Sequence, residues 1–304
     1  MKSLVLLIAA FTLGTASFAR NEHFMFTTSD SVQLYVRLAG QGKPCLFVHG
    51  GPGSTSYYFE ATDAAPLIEQ KMQMIYFDQR GCGRSTSPKN KDYTLARMEK
   101  DMEELRQYLG YQQWAVMGHS FGGLLITQYA FDHPSSVSAL LVIHGTLNIQ
   151  YSMTSHLDNG LKILGITDQA SYRDTSVALN ERVWKVHDSL TKSGLWYKLM
   201  FRNAYEKAYN DTISNVLGTL NRDYANEVWG VADYWKDFTL LTKNIKCPVL
   251  VMTGMKDYAI GPDHYKSFRF PKATIVQYIG GHAPFQEEPQ WFAEKIIAFI
   301  PNIK

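Results

Sequence analysis

The chain has 304 residues, of which 45% are hydrophobic and 19% are charged, and its formal net charge is +2 at pH 7. This composition is typical of a globular protein and excludes a disordered or fibrous chain. The small net charge, without any run of Lys or Arg, argues against nucleic acid or an anionic membrane as a partner. The length favours one large core with an inserted subdomain over two full domains.

The first 19 residues have the pattern of a secretory signal peptide. Lys2 supplies a positive charge, residues 4–13 are mostly apolar, and Ser17-Phe18-Ala19 is a small-x-small cleavage site. We therefore predict cleavage after Ala19 and an exported protein, periplasmic or secreted. The alternative is an uncleaved anchor, but the apolar run is short for a span of about 20 residues. No membrane contact is predicted after cleavage.

Short apolar segments bounded by turn residues predict a β-sheet in the first half of the chain. A β-hairpin is predicted first, with its turn at Ser29-Asp30-Ser31. Continuous apolar runs suit parallel strands that are covered on both faces, and they occur at 45–48, 74–77, 114–117 and 139–143. A helix is predicted at 94–109, because methionine and leucine recur there every three or four residues and Gly110 follows. We interpret that stripe as core packing.

The alternation of strands and helices stops at about residue 147 and resumes at about residue 236. The strands at 249–252 and 274–279 and the helix at 291–300 then follow. Strands that alternate with helices imply a doubly wound, mostly parallel sheet. We therefore predict an α/β fold whose core comprises 20–147 and 236–304, with a helical cap inserted over 148–235.

The sequence Gly118-His119-Ser120-Phe121-Gly122 lies between the predicted strand at 114–117 and a predicted helix at 124–131. This is the context of a nucleophile elbow, a strained strand-to-helix turn that exposes a serine. The helix N-terminus also favours the negative charge that develops during acyl transfer. The alternative is a tight turn without chemistry, since Gly-x-Ser-x-Gly alone is common. Its position predicts Ser120 as a nucleophile.

A second glycine-rich segment, His49-Gly50-Gly51-Pro52-Gly53, directly follows the predicted strand at 45–48. An oxyanion hole in such a fold takes one backbone N–H from this loop and one from the residue after the nucleophile. We predict Gly51 and Phe121 as these donors, with Gly50 as the alternative to Gly51. His49 is interpreted as structural support for the loop. The alternative for the whole segment is a turn without a catalytic role.

A serine nucleophile needs a base and an orienting acid, which follow it in the order Asp, His in this fold class. His282 lies in a loop after the predicted strand at 274–279, and Asp257 follows the strand that begins at 249. Both are thus predicted at the carboxyl edge of the sheet, where ligands bind. Asp263 is the alternative acid. His264 is the weaker base because no strand precedes it.

These motifs, together with Asp78-Gln79-Arg80-Gly81-Cys82-Gly83-Arg84-Ser85, resemble the proline iminopeptidase (prolyl aminopeptidase) family of α/β-hydrolases. The resemblance covers about 22–147 and 240–303. It implies the α/β-hydrolase fold and release of N-terminal proline or other residues from short peptides by a Ser-His-Asp triad. It also implies a structural role for residues 78–85, with Asp78 and Arg80 in ion pairs or backbone hydrogen bonds. These contacts are expected beneath the loop of residues 49–53, here called the oxyanion loop.

The elbow departs from this family, which usually has Gly-Gly-Ser-Trp-Gly. The form found here, with His119 and Phe121 beside the serine, is commoner in esterases. A carboxylesterase, or another hydrolase of a non-peptide ester or amide, is therefore the alternative function. An aminopeptidase of this type anchors the free amine with cap carboxylates, because a buried ammonium must be paired. Glu206 and Glu227 are the candidates, and solvated helix faces are the alternative for both.

We expect the substrate to be a small peptide or another small molecule. No cofactor is predicted, and no metal, because the sequence has no Cys-x-x-Cys motif or Cys/His cluster. A third hypothesis is a binding protein that has kept the fold without activity. Such a protein would be expected to have lost a triad member, whereas Ser120, Asp257 and His282 are all present. The oligomeric state is not indicated by the sequence.

Overall fold

A computed structural model describes residues 20–303, and its centre is an eight-stranded sheet. The strands are β1 Arg20–Thr27, β2 Gln33–Gly40, β3 Lys43–Val48, β4 Met72–Phe77, β5 Trp114–His119, β6 Val137–Ile143, β7 Val249–Gly254 and β8 Ala273–Tyr278. Their order in the sheet is β1-β2-β4-β3-β5-β6-β7-β8. β2 is antiparallel to both neighbours, and the pairings from β4 to β8 are parallel. The predicted fold class is confirmed, and the predicted signal peptide lies outside the described residues.

Helices cover both faces of this sheet. They are α1 Tyr57–Glu60, α2 Ala64–Glu69, α3 Leu95–Tyr108, α4 Gly122–Asp132, α5 Ile149–Leu164, α6 Ala170–Arg173, α7 Leu179–Lys192, α8 Ala204–Asn215, α9 Asp223–Glu227, α10 Pro284–Glu287 and α11 Pro289–Phe299. Short 3-10 segments occur at Trp196–Leu199, Val228–Gly230, Ala232–Trp235, Phe238–Asn244, His264–Ser267 and Ile300–Asn302. Within residues 20–303, every helix falls short of the length and apolar character that a bilayer span requires.

The apolar strands supply two cores, one on each face of the sheet. Because successive side chains of a strand point to opposite faces, Ile75 and Phe77 pack in one core while Met74 and Tyr76 pack in the other. The first core is closed by α3, α4 and the inserted helices. The second is closed by α1, α2, α10 and α11. Coverage on both faces explains why the central strands are continuous apolar runs rather than alternating ones.

Helix α3 confirms the predicted core stripe. Thr94 caps its N-terminus, with the Thr94 hydroxyl accepting the backbone N–H of Arg97 at 3.3 Å. Met98, Met102 and Leu105 are buried on one face. The helix ends before Gly110, which has a φ of +75°, a conformation that glycine adopts without steric cost.

Five helices, α5 to α9, are inserted between β6 and β7, which are neighbours in the sheet. The chain leaves β6 at the carboxyl edge of the parallel strands. Asn148 caps α5 by accepting the backbone N–H of Tyr151 at 3.0 Å. Helix α5 packs closely on α7, since a Cβ on Gly160 would lie 2.3 Å from Val186 Cγ1. The insert therefore lies over the edge at which Ser120 follows β5.

Candidate active site

Ser120 occupies the turn between β5 and α4. Its φ is +56°, which is uncommon for a residue with a side chain and marks a strained turn. The turn leaves no room for a side chain at either flanking glycine. A Cβ on Gly118 would lie 2.6 Å from the Gly122 carbonyl oxygen, and a Cβ on Gly122 would lie 2.3 Å from the Val48 carbonyl oxygen. The Ser120 carbonyl accepts the N–H groups of Gly123 at 2.9 Å and Thr146 at 3.0 Å. These contacts hold the strained turn in place.

His282 lies in the loop after β8 and is buried. Its backbone N–H donates to the Met200 carbonyl at 2.6 Å. Its ring Nδ1 lies 2.9 Å from Asp257 Oδ2. Since a carboxylate can only accept, this contact places the ring proton on Nδ1 and leaves Nε2 as an acceptor. His282 and Ser120 line the same two cavities.

Asp257 follows β7 and is inaccessible to solvent. Its Oδ1 accepts the backbone N–H groups of Ala259 at 3.1 Å and Ile260 at 3.3 Å. Its Oδ2 faces both His282 and His144, each at 2.9 Å. Burial opposes ionisation, but the electrostatic interaction with His282 and the hydrogen bonds from both histidines outweigh it and hold the pKa of Asp257 well below its usual range.

The alternative acid and base lie in other environments. Asp263 is largely exposed and pairs with Lys266 at 2.8 Å. The Nε2 of His264 accepts the backbone N–H of Leu147 at 2.9 Å, so that ring supports the start of the inserted segment. The structure thus brings Asp257, rather than Asp263, to His282.

Two backbone N–H groups beside Ser120 are available to a substrate. Gly50 packs on Ser120, since a Cβ on it would lie 2.6 Å from Ser120 Cβ, but its N–H donates to the Tyr58 hydroxyl at 2.9 Å. Within residues 20–303, the N–H groups of Gly51 and Phe121 have no hydrogen-bond acceptor. Of the two alternatives for the loop donor, this geometry leaves Gly51 available rather than Gly50.

A chain of hydrogen bonds links the oxyanion loop to the loop that carries His282. The Tyr58 hydroxyl, which accepts from Gly50, lies 2.7 Å from His119 Nδ1. His119 Nε2 lies 2.9 Å from the His282 carbonyl oxygen, so the ring donates from Nε2 and accepts from Tyr58. Burial lowers the pKa of His119 well below its usual value. Sequence reasoning missed Tyr58 and His119 as site residues, because each bond joins segments distant in the chain.

Polar contacts beneath the oxyanion loop confirm the structural role expected of residues 78–85. Asp78 accepts the backbone N–H of Ser56 at 2.8 Å and pairs with Arg84 at 2.7 Å. Arg80, which is buried, pairs with Asp101 at 2.6 Å. His49 Nε2 accepts the backbone N–H of Gln79 at 3.0 Å, and its Nδ1 lies 2.9 Å from the Gly50 carbonyl oxygen. These contacts fix the loop from below.

The two cap glutamates do not lie at Ser120. Glu206 accepts from Arg202 through the guanidinium Nε at 2.7 Å and the backbone N–H at 3.1 Å. Asn203 accepts the Glu206 N–H at 3.0 Å, and the Asn-x-x-Glu spacing, which resembles a capping box, could have indicated this structural use. Glu227 pairs with Lys91 at 2.6 Å on the surface. Neither glutamate lines the cavities that reach Ser120.

Two cavities meet at Ser120 and His282, and they differ in chemistry. The larger, of about 610 Å³, is lined on its far side by the polar residues Lys207, Asn210, Asp211, Ser214 and Arg222. The smaller, of about 360 Å³, is lined mainly by apolar and aromatic residues, among them Phe121, Ile149, Met153, Trp184 and Trp229. Gly51 lines both. Ser120 therefore lies between a polar and an apolar cavity.

The smaller cavity also contains a histidine pair. His156 Nδ1 lies 2.7 Å from His187 Nε2, and His156 Nε2 lies 2.6 Å from the Ala259 carbonyl oxygen. Burial lowers the pKa of His156 to about 4 and also lowers that of His187. Both rings are therefore neutral at pH 7, and this cavity is lined by no carboxylate.

One cluster with the composition of a metal site is found within residues 20–303. It consists of His144, Asp257 and His282, whose ligand atoms lie within 4.8 Å of one another. Both imidazoles point Nδ1 at the same carboxylate oxygen at hydrogen-bond distance. This arrangement fits two hydrogen bonds, in which each Nδ1–H donates to the Asp257 carboxylate. The absence of a resident metal stays a prediction.

Comparison of the sequence with known proteins assigns the chain to a family. The family model described as alpha/beta hydrolase fold matches residues 43–289. The chain belongs to the α/β-hydrolase family. Curated relatives include a proline iminopeptidase of Lactobacillus delbrueckii subsp. bulgaricus, 28% identical over an alignment of 280 residues that covers 86% of this chain and 92% of the relative. A proline iminopeptidase of Heyndrickxia coagulans is 29% identical over 276 residues, covering 87% and 92%. The predicted resemblance is confirmed.

Solved structures of other α/β-hydrolases share the fold. A proline iminopeptidase-related protein from Thermus thermophilus superposes with a TM-score of 0.77 at 18% identity, covering 93% of this chain and 98% of that one. An enol-lactonase from Burkholderia xenovorans superposes with a TM-score of 0.68 at 18% identity, covering 91% and 99%. At such identities the likeness shows the fold alone.

Proposed function

We propose that this α/β-hydrolase is a serine hydrolase with Ser120 as nucleophile, His282 as general base and acid, and Asp257 as the orienting carboxylate. The observation that carries the proposal is the buried His282–Asp257 contact at 2.9 Å, behind a serine held at a φ of +56°. His282 lines the same cavities as the serine. This geometry supports the proposal, because a triad is recognised by geometry and roles and not by sequence position.

In the proposed reaction, Ser120 Oγ attacks the substrate carbonyl while His282 Nε2 takes the hydroxyl proton. The N–H groups of Gly51 and Phe121 stabilise the oxyanion. His282 then returns the proton to the leaving amine or alcohol, and an acyl-enzyme forms at Ser120. A water molecule, deprotonated by His282, hydrolyses the acyl-enzyme. Asp257 holds the required tautomer and stabilises the imidazolium in both halves.

The first candidate activity is an aminopeptidase that releases N-terminal proline or other residues from short peptides. It is supported by the similarity to proline iminopeptidases over most of the chain. Because Glu206 and Glu227 are engaged elsewhere, the substrate ammonium would need another partner. Asp211 is the carboxylate that lines the larger cavity, where it is paired with Lys207. An ammonium bound there would share the Asp211 carboxylate with Lys207 or replace Lys207.

The second candidate is hydrolysis of an ester or amide whose acyl group is uncharged. The observation in its favour is the smaller cavity, which is lined by aromatic side chains and neutral histidines and by no carboxylate. An ammonium buried there would stay unpaired, which is energetically costly. An apolar acyl group would be buried favourably, at roughly 25 cal/mol for each Å² of apolar surface.

The catalytic proposal is tested with a fluorophosphonate probe and the Ser120→Ala variant. We expect the folded wild-type protein to carry one adduct at Ser120, and the variant to lose both labelling and turnover. A folded wild-type protein that forms no adduct would favour the binding-protein hypothesis.

The substrate class is tested with three chromogenic compounds, of which the two amides release the same aniline. These are a prolyl anilide with a free amine, its N-acetylated counterpart, and a short-chain ester. Preference for the free amine supports the aminopeptidase, and Asp211→Asn should then raise KM for this compound alone. Equal rates for free and blocked amines would reject the aminopeptidase in favour of the second candidate.

A further inference from the structure

His144 is a buried histidine that directly follows β6 and takes no part in the reaction proposed above. Its φ is +44°, in the left-handed region that residues with side chains seldom adopt. Its backbone N–H donates to the Met252 carbonyl at 2.8 Å, and its side chain is inaccessible to solvent. A glycine would remove the backbone strain, but it would also remove the imidazole.

The imidazole of His144 shares a carboxylate oxygen with His282. Nδ1 of each ring lies 2.9 Å from Asp257 Oδ2. Because the carboxylate can only accept, both rings carry a proton on Nδ1. The other oxygen, Oδ1, accepts the backbone N–H groups of Ala259 and Ile260. Each oxygen of this carboxylate therefore faces two donors, and its orientation is fixed from four sides.

Packing alone does not explain an imidazole at this position. The backbone at the end of β7 leaves room for the ring, since a Cβ on Gly254 would lie 2.7 Å from His144 Cε1. His144 Nε2 is buried and makes no hydrogen bond of acceptable geometry within the described residues, although the Gly281 backbone lies near enough to oppose the lowering of the His144 pKa. An apolar side chain would fill the same space without an unpaired polar atom. What the imidazole adds is the hydrogen bond from Nδ1 to Asp257.

His144 acts as an uncharged donor at neutral pH. The titratable groups around it are Asp257, His282, His119 and Tyr278, whose ring centroid lies 6.2 Å away. Burial lowers the pKa of His144 despite the opposing effect of Asp257. His144 therefore brings no positive charge that would compete with the imidazolium formed at His282.

We propose that His144 is a positioning residue for the carboxylate of the triad, an inference that rests on the proposed roles of Ser120, His282 and Asp257. Its Nδ1–H fixes the carboxylate so that Oδ2 stays in line with His282. Because the two rings share Oδ2, His144 also limits how strongly that oxygen stabilises the imidazolium form of His282. Loss of His144 therefore alters both the rate and the pH at which the base becomes protonated.

The test compares His144→Asn with His144→Leu. Asparagine tolerates positive φ and offers an amide N–H to Asp257, whereas leucine offers no donor. We expect the leucine variant to lose about ten- to hundredfold in kcat at unchanged KM, by analogy with the loss of an outer partner that orients a metal ligand. The acidic limb of its kcat/KM profile should move to higher pH. The asparagine variant should keep most of kcat and the wild-type limb.

The outcomes separate this inference from the proposed function. If Ser120→Ala keeps its activity, the proposed triad is wrong. If Ser120→Ala is inactive and His144→Leu has wild-type kcat and the wild-type acidic limb, the triad stands and the role of His144 is overturned. An equal fall in kcat for both His144 variants, without any movement of the limb, would also overturn it, since that is the behaviour of a packing residue.

A spectroscopic measurement tests the same contact should the leucine variant not fold. Protons shared between imidazole and carboxylate give downfield ¹H resonances, and the wild-type protein should show two, one from each histidine on Asp257. His144→Asn should remove one resonance and keep the other. A single downfield resonance in the wild-type protein, unchanged in His144→Asn, would show that His144 does not donate to Asp257.

Discussion

Replacement of Gly50 by alanine tests how closely the oxyanion loop fits the nucleophile. The new Cβ would lie 2.6 Å from Ser120 Cβ, 2.8 Å from the His119 carbonyl oxygen and 3.2 Å from Ser120 Oγ. Carbon atoms in contact prefer about 3.5–4.0 Å, so the loop and the serine must separate by roughly 1 Å. The φ of Gly50 is not in the left-handed region, so the expected cost is one of space alone.

A displacement of that size at reacting groups costs about a hundredfold in rate, or about 2.7 kcal/mol of transition-state stabilisation. Overpacking of the buried turn should also lower folding stability by about 1–3 kcal/mol. We would measure kcat, the rate of fluorophosphonate labelling and Tm. The control is Gly230→Ala, because a Cβ there meets nothing within 4 Å at an ordinary φ. Wild-type kcat and labelling in Gly50→Ala would refute the close fit.

Three further predictions concern the acid, a buried carboxyl group and the N-terminus. Asp257→Asn should lower kcat about ten thousandfold, because the amide stabilises the wrong histidine tautomer; an active variant would remove Asp257 from the mechanism. Burial raises the pKa of Glu287 from its ordinary 4.5 to about 7. The folded state therefore keeps a proton that the unfolded state releases, and stability falls as pH rises from about 4.5 to 7, by at most about 3 kcal/mol. Glu287→Gln keeps an acceptor for the Gly281 N–H and should reduce this pH-dependent loss of stability. Urea denaturation at pH 5 and pH 8 would measure the loss in both proteins, and an equal loss in the variant and the wild type would contradict the prediction. When the protein is exported from a host cell, its measured mass should be that of a chain that begins at Arg20. An intact N-terminus would argue against cleavage after Ala19.

The segments of the proposed triad could be placed at one sheet edge because their signals are local. A buried strand, a glycine two residues before the serine and another two residues after it define the turn at Ser120 within a few positions. Asp257 and His282 each follow a recognisable strand. Parallel strands end at one edge of the sheet, so the sequence brings these three residues to the same edge without any long-range contact having to be known.

The supporting residues could not be predicted, because their roles depend on contacts between distant segments. Tyr58 and His119 are 61 residues apart, and His144 and Asp257 are 113 residues apart. A histidine after a strand or a tyrosine on a short helix has no periodicity that reveals such a partner. The cap is harder still, because its helices follow one another without the alternation of strands and helices that identifies the sheet.

The chemistry and the substrate preference of this site are therefore set by different parts of the chain. The sheet edge supplies Ser120, His282 and the oxyanion donors, while the cap supplies most of the far walls of both cavities. On the apolar side a free ammonium meets no carboxylate, and on the polar side it meets Asp211, which is already paired with Lys207. An aminopeptidase substrate bound there must share that carboxylate with Lys207 or displace Lys207, whereas an uncharged acyl group need not. The ratio of rates for free and blocked amines therefore tests which class of acyl compound the proposed triad would hydrolyse.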